Sequence, residues 1–165
     1  MSKRVVQVYY GGGKGKTSAA VGQCIRAASR GQGVIIIQFM KGKDAEEYSF
    51  LEKLEPDIKL FRFEKEIDSY DMLPAKKQEE EQQNILNGLN FAKKVLDTGE
   101  CDVLVLDEVL GLIDIGIIDV DYIIKLIDIR DDYSRLVLTG QNLPDKLVPY
   151  VDIISKIDLM KDTTE

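Results

Sequence analysis

Histidine and tryptophan are absent from this chain, and cysteine occurs only twice. Without imidazole there is no histidine general base, no Ser-His or Cys-His nucleophile system and no histidine metal site. Cys24 falls in a helical pattern and Cys101 just before a strand pattern, far apart in the chain. They read as buried thiols rather than a disulfide or a metal pair. No run of about 18 apolar residues is there to span a membrane, and the opening Met1-Ser2-Lys3-Arg4-Val5 lacks the apolar core of a secretory signal. A cytoplasmic protein is the expectation. Basic residues number 22 against 29 acidic ones, a net charge of −7, which argues against a broad nucleic-acid-binding face. A nucleotide needs only local positive charge and stays admissible. The chemistry is thereby confined to phosphate binding, carboxylates, a metal ion and positioning.

What is present is alternation. Apolar, β-branched runs at residues 5–10, 34–39, 58–63, 103–106, 136–138 and 151–157 are separated by longer segments. This predicts an α/β fold with a mostly parallel sheet of five or six strands, covered by helices on both faces. Residues 17–30 are rich in alanine and stop before Gly31, a helix with its stop signal. Residues 75–97 carry Ile85, Leu86, Leu89, Ala92, Val95 and Leu96 at helical spacing, with Gly99 as cap. The wholly polar stretch 76–83 reads as solvated first turns of that helix, with a partner-docking arm as the minor alternative. Residues 64–74 read as a loop. The chain contains no internal repeat or linker, and its 165 residues are most simply one domain. In an open α/β sheet, ligands sit beyond the carboxyl ends of the strands. Loops after Tyr10, Phe39, Phe63, Leu106 and Leu138 are thus expected to line one crevice.

The first of those loops is Gly11-Gly12-Gly13-Lys14-Gly15-Lys16-Thr17, between a strand pattern and a helix pattern. Backbone N–H groups of a glycine loop, the positive end of the next helix and the Lys16 ammonium converge on a polyphosphate, and the Thr17 hydroxyl can hold Mg²⁺. The usual spacing, G-x-x-x-x-G-K-[ST], would put glycine at position 10. Tyr10 stands there instead. A second signal is the apolar run 103–106 ending in Asp107 and Glu108, the form in which a strand-end acid holds Mg²⁺ directly or through water. Lys41, after the second strand, could reach a phosphate or be merely solvated. Thr139, Gly140, Gln141 and Asn142 could read a sugar or base, or make a turn. Arg26 fits a surface salt bridge better than a site.

These residues, in this order, resemble the P-loop ATP:cob(I)alamin (corrinoid) adenosyltransferases of cobalamin synthesis and salvage. The glycine loop with its displaced first glycine, the Arg26-Ala27-Ala28 helix, Gln38-Phe39-Met40-Lys41-Gly42, Val105-Leu106-Asp107-Glu108 and Leu138-Thr139-Gly140 carry the resemblance over nearly the whole chain. It implies a three-layer P-loop fold and transfer of the 5′-deoxyadenosyl group of ATP to a cobalt(I) corrinoid, with ATP held in an orientation reversed from that of ordinary P-loop hydrolases. Cobalt(I) is itself a strong nucleophile, so no protein base is required. By position, Gly11, Gly12, Gly13, Lys14, Gly15, Lys16 and Thr17 would cradle the triphosphate. Lys16 would neutralise it, Thr17 with Asp107 or Glu108 would hold Mg²⁺, and Lys41 would assist. Lys16 and Glu108 are the residues to which this reading gives the catalytic part.

The resemblance further implies a homodimer and a reductase that supplies cobalt(I). The family's Phe-x-Trp segment after the third strand, which packs on the corrin, has no tryptophan here. Phe61 and Phe63 stand nearest its place, although an apolar strand explains them equally well; Tyr70 and Met72 are other candidates. Gln141 replaces a frequent arginine, and the residues after the last strand are fewer than the family's usual carboxyl-terminal tail. Two rival readings stay open: a non-catalytic ATP or corrinoid delivery module, and a P-loop phosphotransferase or ATPase.

Overall fold

The computed structural model describes residues 4–40, 50–66, 68–129 and 134–164. Six strands, β1 (Val5–Tyr10), β2 (Val34–Gln38), β3 (Ile58–Arg62), β4 (Val103–Asp107), β5 (Arg135–Gly140) and β6 (Ile153–Lys156), form one sheet in the order β3-β2-β4-β5-β1-β6. Every neighbouring pair is parallel. Helices α1 (Lys16–Ser29), α2 (Ala75–Thr98), α3 (Gly111–Asp114) and α4 (Val120–Asp128) supply crossovers, and 3₁₀ turns lie at Glu52–Leu54, Tyr70–Met72 and Asp145–Tyr150.

Period-two alternation in fully buried strands divides the core between two faces. One face sends Ile35, Ile37, Leu104, Leu106, Leu136 and Leu138 against Ile85, Leu89, Ala92 and Leu96 of α2 and Ile123 and Ile127 of α4. The other sends Ile36, Val103, Val105 and Val137 against Ala20, Cys24 and Ala27 of α1. The small side chains of α1 let it lie close over β4 and β5. The result is a three-layer α/β arrangement in which one helix dominates the second face.

Strand and helix positions match the sequence pattern with shifts of one or two residues at most ends. The expected strand 136–138 is longer, Arg135–Gly140, and 151–157 is shorter, Ile153–Lys156. Two helices between β4 and β5 were not anticipated. In α4 the Asp119 carboxylate caps the Tyr122 N–H at 2.9 Å, which lets an isoleucine-rich segment start as a helix rather than a strand. The polar start of α2 is solvated as expected apart from Glu81, which is 3% exposed. Its carboxylate accepts from the Lys65 and Glu66 N–H groups and from Asn84 Nδ2. Both cysteines are free, Cys24 buried and Cys101 half-buried. Burial, with the Asp107 and Cys101 charges adding to it, pushes the Cys24 thiol up to about 12.

Candidate functional site

β1 delivers the glycine loop at its carboxyl end, and α1 leaves from it. Gly15, at φ 108°, is the N-cap of α1 and offers no side chain to cap it, so the first-turn N–H groups face outward at the positive end of the helix. Lys16 Nζ donates to the carbonyls of Gly11 and Gly13 at 2.8 and 2.9 Å. The ammonium is therefore held within the loop it was expected to serve. Lys14 turns the other way and pairs with Asp162 at 3.2 Å on the surface.

Gly11 and Gly13 have a neighbour that the motif does not reveal. The chain after β6 passes against the loop: Gly13 N–H donates to the Ile157 carbonyl at 3.0 Å, and Ile157 N–H to that of Tyr10 at 2.7 Å. A Cβ at Gly11 would lie 2.3 Å from that Ile157 oxygen, and one at Gly13 2.8 Å from it. No side chain fits there, whatever the loop binds. Tyr10 completes β1, opposite Gly140 and Lys156, so the strand runs on through the position where the usual motif has its first glycine.

The strand-end acid lies beneath the first turn of α1. Thr17 Oγ1 is 3.0 and 3.1 Å from the two Asp107 carboxylate oxygens. Thr139 Oγ1 donates to Asp107 Oδ1 at 2.7 Å, and Gln38 Nε2 to Oδ2 at 3.2 Å. Behind Gln38, Arg62 Nε donates to its Oε1 at 2.7 Å. Arg62, Gln38, Asp107 and Thr139 are all buried, and parallel register sets Arg62 beside Gln38 and Gln38 beside Asp107. Burial of so polar a row is tolerated because its members satisfy one another. Thr139 thus holds the carboxylate rather than reading a ligand from a turn. Sequence reasoning gave neither Gln38 nor Arg62 a role at the site. Their signal was a polar residue at the carboxyl end of each of two otherwise apolar strands.

Glu108 follows with φ 60°, a left-handed conformation that costs a non-glycine residue roughly 1–3 kcal/mol. Its N–H donates to Thr139 Oγ1 at 2.8 Å. Met40, after β2, has φ 63°. The Cβ position of Gly111 is 3.3 Å from Glu108 Oε2 and 3.7 Å from Met40 Cγ, so these two strained strand ends meet at the start of α3. Met40 N–H donates to Glu64 Oε1 at 2.6 Å. Burial pushes the Glu64 carboxyl up to about 7; the Met40 N–H opposes this and the Glu81 charge adds to it.

Phe61 and Phe63 are not beside the glycine loop. β3 is an edge strand separated from β1 by β2, β4 and β5, a span of roughly 19 Å at normal strand spacing. Both rings pack on Phe91 of α2, with centroids 4.8 and 5.8 Å away, and remain half-buried. Tyr70 and Met72 sit in the 3₁₀ turn before α2, Met72 exposed. Gln141 is exposed, and its carbonyl accepts from Gly11 N–H. Arg26 makes no salt bridge among the described residues, contrary to expectation. Lys41 lies outside the described residues.

The family model of the ATP:corrinoid adenosyltransferases BtuR/CobO/CobP matches residues 2–165. The chain belongs to this family. Among named relatives of this adenosyltransferase chain, the corrinoid adenosyltransferase of Escherichia coli K12 is 24% identical over 95% of the chain and 78% of its own length. That of Pseudomonas aeruginosa is 26% identical over 95% and 76%. An uncharacterized Nostoc protein is 26% identical over 92% of the chain, which spans 43% of that longer protein. In structure the adenosyltransferase chain resembles a KaiC-like protein of Pyrococcus horikoshii, with a TM-score of 0.57 and 17% identity over 98% of the chain and 75% of the other. The shared feature is the P-loop NTPase-like fold.

Proposed function

We propose that this chain transfers the 5′-deoxyadenosyl group of ATP to a cobalt(I) corrinoid. The cobalt electron pair forms the bond to C5′ of the ribose, the C5′–O bond breaks, and triphosphate leaves with that bond's electrons. The observation that carries this reading is the family match along residues 2–165. The glycine loop, with Lys16 Nζ held inside it, supports it. A nucleophile this strong requires no base, which accords with a chain free of histidine. The work left to the protein is alignment of C5′, neutralisation of the leaving triphosphate and exclusion of water.

In this reading residues 11–17 cradle the triphosphate and Lys16 neutralises it. Thr17 and Asp107, 3.0–3.1 Å apart, with Glu108 the next residue along the chain, would hold Mg²⁺ through hard oxygen donors. Mg²⁺ in such a site keeps waters and phosphate oxygens as its remaining ligands, and when bound it supplies charge neutralisation to the phosphates. Thr139 and Gln38 orient the Asp107 carboxylate. Phe61 and Phe63 serve corrinoid binding at the far edge of the crevice, with Phe91 as their support. The protein works in the cytoplasm as a one-domain subunit of a homodimer and receives cobalt(I) through a reductase.

Incubation with ATP, Mg²⁺ and chemically reduced cobalamin tests this. Adenosylcobalamin by absorbance, with equimolar triphosphate by chromatography, is the expected result. ADP and phosphate instead would make the protein a hydrolase, and tight binding of both substrates without product would make it a delivery module.

A further inference from the structure

A cavity of about 760 Å³ opens between α1 and the sheet and runs from the amino-terminal ends of the strands along β1 as far as Tyr9; no residue of the glycine loop lines it. Its wall is α1 from Ala19 to Arg30, and its floor is β1 from Val5 to Tyr9 with the starts of β4 and β5. An α/β core of this kind would place apolar side chains at the α1–β1 contact. Here the contact is polar. Gln7 Nε2 donates to Tyr9 Oη at 3.0 Å, Tyr9 Oη donates to Gln23 Oε1 at 3.0 Å, and Gln23 Nε2 donates back to Gln7 Oε1 at 2.8 Å. Arg135 Nη1 joins this closed ring at Gln7 Oε1, 2.8 Å away. Gln7 is only 7% exposed, so the ring fixes its members in place.

Around that floor the charge is positive. Arg26 and Arg30 line the cavity one helical turn apart, and Arg135 lines it from β5. Among the described residues, the Arg26 and Arg30 guanidinium groups make no ion pair or hydrogen bond. Asp102, the acid in the lining, already accepts from Gly33 N–H at 2.8 Å. Like charges four residues apart on a helix repel, and three arginines line this one cavity in a chain of net charge −7. The negative end of α1 favours a cation in its last turn, but it does not account for Arg135 or for the cavity. Guanidinium forks match carboxylate and phosphate groups in bidentate geometry, and the volume is that of a small-molecule site.

We propose that this cavity binds a small polyanion, a molecule carrying two or more carboxylate or phosphate groups, between Arg26, Arg30 and Arg135. Citrate and inorganic pyrophosphate serve as carboxylate and phosphate probes, titrated calorimetrically at low ionic strength, where screening is weak. They are added to wild-type protein, to Lys16→Ala, and to the Arg26→Ala/Arg30→Ala double variant. At least one probe is expected to bind wild type and Lys16→Ala alike and to lose tenfold or more in affinity in the double variant. The better probe names the class. Arg135→Gln, which keeps a donor for Gln7, is expected to weaken the same probe and serves if the double variant does not fold. Equal affinity in wild type and the arginine variants overturns the proposal, as does binding abolished by Lys16→Ala, or no binding of either probe. A change in molecular mass by light scattering in the arginine variants, with anion affinity unaltered, also overturns it and makes the groove a contact between copies.

Discussion

Helix α1 begins over one polar cluster, at Thr17, and passes a second, at Gln23, about 9 Å further along at its normal rise; the two are built in opposite senses. At its start, Thr17, Gln38 and Thr139 bring neutral polar groups to a single carboxylate, Asp107. At its middle, a ring of amides and a phenol, Gln7, Tyr9 and Gln23, holds the Arg135 guanidinium, and Arg26 and Arg30 follow along the same helix. One cluster has an acid at its centre and suits a cation. The other has cations at its rim and suits an anion. Both set polar groups under the same helix, so position alone does not distinguish a cluster that suits a cation from one that suits an anion. The sign of the group at the centre does.

The largest effect that would break this contrast is at Asp107. Asp107→Asn keeps the shape but removes the charge and one acceptor, and a roughly 100- to 1,000-fold fall in adenosyl transfer is expected, measured as kcat/KM for ATP. Retention of wild-type rates would mean that the charge at this end has no chemical task. Next is Glu64, a buried carboxyl facing a backbone N–H. Its folded pKa of about 7 stands above the ordinary 4.5, so the folded state holds the proton more tightly. That stabilisation is complete below about pH 4.5 and is lost as pH rises to about 7. Wild type is therefore expected to lose up to about 3 kcal/mol across that window in urea unfolding, and Glu64→Gln to lack the slope.

In the neutral ring, Gln7→Leu strands buried partners on Gln23, Tyr9 and Arg135. About 1–3 kcal/mol of stability should go, read from the urea midpoint, while the KM for ATP stays within twofold. A rise in KM would tie the two clusters under α1 together. The smallest effect is at Cys24, midway along α1. With its thiol pushed up to about 12, it should resist a disulfide-exchange reagent until the protein unfolds, whereas half-buried Cys101 reacts in the native state.

The sequence disclosed the acidic end far better than the basic one, and the cause is chain distance. The glycine loop and the start of α1 are contiguous, and the strand-end acid follows an apolar run, so each is visible locally. The ring joins Gln7 to Gln23 and to Arg135, 16 and 128 residues away; packing of α1 on β1 brings the first and parallel pairing of β1 with β5 the second. The strands and α2 were legible from period and caps, whereas α4 was hidden by its isoleucines, which favour strands when read alone. Phe61 and Phe63 were legible as an apolar pair. Their ring partner Phe91, some thirty residues on, was not.

The two glycines facing Ile157 give the glycine loop an outer wall made of the segment after β6. Because that wall is backbone, side-chain exchange at Ile157 or Asp158 leaves its shape intact. A single residue inserted between β6 and Ile157 shifts the carbonyl that Gly13 holds and deforms the loop from outside. The displaced glycine spacing is therefore as much a record of how the last strand docks as of what the first loop binds.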